Sequence, residues 1–137
     1  MKLKLSAIAL FAMIMPAQAQ TAALTDAEAA FLDQLVTAAA VLVQRCPGYE
    51  ANGAGSVQLG ARQLGSPAAA MAMIAAFDAA IKAHDGEAYD RNKFRPEVSE
   101  AAGKTSSRVM AALTKSPKAA CADYGGTSVE QGLLRRY

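Results

Sequence analysis

Along the first third of the chain, apolar side chains recur at spacings of three and four: Leu32, Leu35, Val36, Ala39, Leu42, Val43 and finally Cys46. That period is helical, and it predicts one buried stripe ending on a cysteine. Thr25 and Glu28 stand ahead of the stripe at capping-box spacing, and Pro47-Gly48 ends it. The segment Asn52-Gly53-Ala54-Gly55-Ser56 has loop composition, and residues 57–64 read more easily as a short helix than as a strand. Ser66-Pro67 then starts an alanine-rich helix running to about His84, with Ala70, Met73, Ile74, Phe77 and Ile81 on its buried side.

Asp85-Gly86 closes that helix, and a polar connector carrying Tyr89 and Phe94 leads to Pro96. From Pro96 a further helix is expected, with Val98, Ala101, Ala102, Thr105, Val109, Ala112 and Leu113 facing inward. Ser116-Pro117 starts the helix that bears Cys121, Gly125-Gly126 is expected to stop it, and Thr127 to Glu130 to open a last short turn before the terminal Leu-Leu-Arg-Arg-Tyr. No strand pair stands out. The expectation is an all-α fold, a small bundle of four to five helices.

The N-terminus changes where such a bundle would live. Lys2 and Lys4 precede an apolar run from Leu5 to Met15, closed by Pro16 and the small-x-small triplet Ala17-Gln18-Ala19. This is the pattern of a secretory signal peptide, too short before Pro16 to span a bilayer. Residues 1–19 are therefore expected to be removed near Ala19, leaving residues 20–137 as a single helical domain, periplasmic or secreted, with no transmembrane segment. Lys2 and Lys4 also account for the whole net charge of +2, so the remainder holds twelve basic and twelve acidic residues. The balance gives no nucleic-acid signature.

Export in turn decides the reading of the cysteines. Only two occur, Cys46 in Cys-Pro-Gly-Tyr and Cys121 in Cys-Ala-Asp-Tyr. In an oxidising compartment their default state is one intramolecular disulfide closing the bundle. Metal ligation would need partners beyond the one histidine, His84. An internal duplication fares no better, since the Ser-Val pairs that follow the two cysteines lie at unequal offsets. Pro-Gly is the centre of a type II turn, bringing Tyr49 back toward Cys46, and Tyr124 lies one helical turn from Cys121. Each tyrosine is thus expected to cover the disulfide. Leu, Ile, Val and Phe number only 21 of the 118 residues after Ala19, so close alanine packing and the clamp must supplement a thin core.

Candidate chemistry is sparse. No Gly-x-Ser-x-Gly, phosphate-cradling glycine loop or Cys-x-x-Cys-His occurs, and no cofactor is expected. His84, in the last turn of its helix, suits the negative helix end. Asp85 to Pro96 has acids spaced somewhat like a calcium loop, but Asp90 stands where glycine is needed and Pro96 where glutamate is needed. Charge is segregated: four acids and one lysine lie in residues 78–90, whereas residues 91–118 hold seven basic residues against Glu97 and Glu100. Arg91, Lys93 and Arg95 around Phe94, extended by Lys104 and Arg108 on one helical face, form a candidate surface for an acidic protein or an anionic envelope component. The function expected is that of a small exported, non-enzymatic binding protein. The alternative is an envelope hydrolase using the carboxylates Asp85, Glu87 and Asp90. In plan, though in no motif, the chain is similar to the acid-stress periplasmic chaperones of the HdeA type, which implies a chaperone-like form of the binding role.

Overall fold

In the computed structural model, which describes residues 23–137, Thr25 accepts the backbone N–H of Glu28 and the Glu28 side chain accepts that of Thr25, so both halves of the capping box are made. The helix so opened, α1, runs in three stretches without a break in the chain: α-helical Asp26–Leu35, π-helical Val36–Leu42 and α-helical Val43–Arg45. Its burial departs from the expected stripe. Val36 and Val41 are buried five apart, as are Thr37 and Leu42, while Ala39 and Val43 are only half-buried. A π turn bonds each residue to the fifth along, which widens the turn, so Thr37, Ala38 and Val41 come inward and Ala39 and Val43 are rotated partly out. Cys46 still arrives in the core.

Pro47-Gly48 makes the expected turn, Gly48 taking a φ of +88°. The chain then forms a short strand, β1 (Tyr49–Ala51), followed directly by helix α2 (Gly53–Leu64). The loop expected over residues 52–56 is instead the start of α2, because the Asn52 side chain caps the helix by accepting the Gly55 N–H at 3.1 Å. Helix α3 (Pro67–His84) follows after a bend of 116°, capped by Ser66. Helix α4 (Pro96–Lys115) and helix α5 (Pro117–Glu130) each begin on the proline that marks them in the sequence.

Two further expectations are corrected at the C-terminal end. Gly125-Gly126 does not stop α5, which continues to Glu130. The ring of Tyr49 occupies the space that a side chain at Gly125 would need, so this glycine serves close approach rather than termination. The residues beyond α5 form a second strand, β2 (Leu134–Arg136), antiparallel to β1 with Tyr49 opposite Arg136 and Ala51 opposite Leu134. Helical periodicity could not show this pairing, because its partner lies more than eighty positions away. The described residues therefore form an all-α bundle of five helices with one two-stranded ribbon.

Helix α1 packs against the four others and supplies Phe31, Leu32, Leu35, Val36, Val41 and Leu42 to a single core. Met73 and Phe77 from α3, Val98, Val109 and Leu113 from α4, and Leu133 and Leu134 from the tail complete it. Cys46 and Cys121 are joined, their Cα atoms 5.6 Å apart, so the end of α1 is bonded to α5 across 75 positions. Among the described residues no single helix is long and apolar enough to cross a membrane. The expected cleavage site lies outside them.

Candidate functional site

The connector between α3 and α4 is more ordered by its own bonds than its composition suggests. The Asp90 carboxylate accepts the backbone N–H of Asn92 at 2.9 Å, and the Asp90 carbonyl accepts those of Lys93 and Phe94. This is an Asx turn, which fixes residues 90–94 as a tight loop. It turns Phe94 back against Tyr89, their ring centroids 5.4 Å apart and tilted by 50°. Tilted rings at this distance pair favourably edge to face.

Tyr89 in turn stands over α3. Between them lies an open groove of about 400 Å³ with Ala75 and Ala79 on its α3 side. One wall carries Asp78 and Lys82 from α3, the other Asp90 and Lys93 from the connector. Lys82 is paired with Asp78 at 2.9 Å, and that contact raises its ammonium above the ordinary lysine range.

The six residues expected to form a basic surface separate into two groups. Arg95 is half-buried and engaged: it donates to Glu28 of the α1 capping box at 2.9 Å and to Glu97 in the first turn of α4 at 2.8 Å. The backbone N–H of Thr25, against partial burial and with help from Arg95, holds Glu28 below the usual carboxylate range. Burial pushes Glu97 up, but its bonds to Arg95 and to its own backbone N–H outweigh that and leave it lowered as well. The same two carboxylates raise Arg95. Arg108 pairs with Asp33 of α1 at 2.7 Å, on the same carboxylate oxygen that the buried Thr105 hydroxyl reaches at 2.8 Å. Lys104 pairs with Glu100 at 3.2 Å on the outer face of α4. Arg91 and Lys93 are exposed and make no ion pair among the described residues. Spacing showed the cations but not which of them meet a carboxylate from another helix.

The residues around the disulfide behave differently from their sequence placement. Tyr49 reaches across to the other half of the clamp, its hydroxyl donating to the Cys121 carbonyl at 3.5 Å, with Arg136 stacked over its ring at 5.9 Å. Tyr124 is half-buried against the core and lines a second groove between α4 and α5 with Ala112, Lys115, Ala119 and Asp123. His84 is exposed at the end of α3, as are Asp85 and Glu87 beyond it. No group of three or more potential metal ligands occurs among the described residues. Tyr89 is the functional candidate that sequence reasoning missed. Its signal was an aromatic five positions before Phe94 across a turn-forming Asp90-Arg91-Asn92. No family model, curated protein or solved structure matches this chain, so the likeness to the acid-stress chaperones remains one of plan.

Proposed function

We propose that this chain is an exported, non-enzymatic binding protein whose connector between α3 and α4 receives a negatively charged partner. The observation that carries the reading is the distribution of ion pairs. Arg95, Lys104 and Arg108 each meet a carboxylate, whereas Arg91 and Lys93 stand exposed on an ordered turn beside the Tyr89–Phe94 pair. Cations held ready and unneutralised beside aromatic surface are suited to an anionic partner, with charge steering the encounter and the rings supplying contact area. The N-terminal pattern of Lys2, Lys4 and an apolar run supports export, and a disulfide is compatible with the compartment it implies.

The hydrolase alternative has less in its favour. The Asp90 carboxylate closes its own turn, and Asp85 and Glu87 stand at an exposed helix end. The chaperone-like form of the binding role rests on the likeness of plan alone.

The test is retention of envelope components on the immobilised chain at low and at physiological ionic strength, where the screening length falls to about 8 Å. The retained component is expected to elute with salt and to be lost with Arg91→Glu/Lys93→Glu at unchanged circular dichroism, because exposed charges contribute little to stability. Arg95 is left intact, since its two ion pairs join α1 to α4. Retention indifferent both to salt and to the double reversal would overturn the proposal.

A further inference from the structure

On the reading that the connector receives an anionic partner, we propose that the groove between α3 and the connector holds one sugar-acid unit of an anionic polysaccharide. The groove has the size of a small-molecule site, about 400 Å³ against a usual span of roughly 300–1,000 Å³, but not the character of one. Sites that enclose a small molecule are mostly apolar and bury most of its surface. Here the groove is open and its two walls carry four charged side chains, which suits one unit of a chain that continues past it.

The arrangement of charge decides which polymer fits. Each wall carries one cation and one carboxylate: on α3 Lys82 is bonded to Asp78, whereas on the connector Lys93 and Asp90 make no ion pair with each other. The ionised side chains of an acidic peptide only accept hydrogen bonds, so against Asp78 and Asp90 they would bring like charge and no donor. A sugar acid carries one carboxylate per ring, with hydroxyls around the rest of it. Its carboxylate takes the unpaired Lys93 ammonium, and its hydroxyls donate to Asp78 and Asp90, which as ionised carboxylates only accept. The methyl groups of Ala75 and Ala79 leave room for a flat ring, and Tyr89, backed by Phe94, gives a rigid apolar wall with a polar tip. Such a wall orders at little entropic cost, because an aromatic side chain has only two rotatable bonds to fix.

The test is a nuclear magnetic resonance titration of the protein with three probes: a six-unit uronic-acid oligosaccharide, its carboxyl-reduced neutral counterpart, and polyglutamate of equal charge. The uronic oligomer is expected to shift the resonances of Ala75, Ala79 and Lys93 and to bind at least about tenfold more tightly than the neutral one. Lys93→Gln and Tyr89→Ala should each weaken it by about tenfold or more, and Arg62→Gln, on the exposed face of α2, should leave it unchanged. Uronic-acid binding unaffected by Lys93→Gln overturns the assignment without any question of folding. Polyglutamate binding at Arg91 and Lys93 more tightly than the uronic oligomer also overturns it, while the anionic-partner reading stands. Binding of neither anion at the connector overturns both.

Discussion

Gly125 and its neighbour Gly126 look alike in sequence and do different work. Both lie inside α5, where glycine costs about 1 kcal/mol relative to alanine through lost backbone freedom. At Gly125 a methyl group would meet the ring of Tyr49, whereas at Gly126 it would meet nothing within 4 Å. The two alanine substitutions should therefore have opposite signs. Gly126→Ala is expected to stabilise by about 0.5–1 kcal/mol, and Gly125→Ala to destabilise by about 1–3 kcal/mol through overpacking against the ring. Urea denaturation of the two variants measures both. Stabilisation by both would show that the packing of Tyr49 on α5 does not constrain the helix.

Among elements, the contact that the charge pattern misrepresents most is the one made by Arg95. Located just before Pro96, it reads as part of an adaptable basic loop, yet it fastens the start of α1 to the start of α4 through Glu28 and Glu97. Both carboxylates are held below the usual carboxylate range in the folded chain. As pH falls, the unfolded chain takes up these protons first, so the stability they contribute is present above the ordinary glutamate pKa of about 4.3 and is lost as pH falls through the lowered folded values. Arg95→Gln is expected to cost about 1–2 kcal/mol at pH 7, between an exposed pair and a buried charged hydrogen bond, and to flatten the acid limb of the stability curve. Denaturation at pH 7 and at about pH 3.5 distinguishes this from a general loss, since the difference between wild type and variant should shrink at the lower pH. An undiminished difference would remove the ion pairs as its cause.

For the whole molecule, the bond between Cys46 and Cys121 joins the first helix to the last across a core in which alanine does much of the packing. It also holds the ribbon, because β1 begins three residues after Cys46 and Tyr49 lies against the helix that carries Cys121. In the chain-entropy account a closed loop of this length stabilises by up to about 4–5 kcal/mol. Cys46→Ala/Cys121→Ala is expected to lose about 2–4 kcal/mol, a large fraction of the about 5–15 kcal/mol by which native domains are stable. Calorimetry of the variant beside the oxidised parent reads this directly, and a midpoint unchanged within a degree would mean that the bundle stands without its clamp.

Most helix starts follow from the sequence because capping and first-turn proline are short-range chemistry, and the cysteine pairing follows from composition, although it spans 75 positions. Threonine and glutamate three apart make a capping box wherever they open a helix, proline marks a first turn, and two cysteines alone in a chain have only each other to bond. The core of the α4 face, Val98, Thr105, Val109 and Leu113, was legible because 3.6-residue periodicity is likewise a local property. On α3, by contrast, Ile74 and Ile81 are half-buried, and Ala76, Ala79 and Ala80 are buried beside the expected Ala70, Met73 and Phe77. What tertiary structure decided involves partners distant in sequence. The π stretch of α1 re-phases its buried stripe, Gly125 is kept inside α5 by a tyrosine 76 positions earlier, and the terminal Leu-Leu-Arg-Arg-Tyr becomes a strand only because Tyr49 to Ala51 lies alongside it. The candidate site divides in the same way. Its cations could be counted from the sequence, but that Arg95 and Arg108 are neutralised across the fold depends on Glu28 and Asp33, brought from α1 by packing, and the groove under Tyr89 needs the connector to lie against α3.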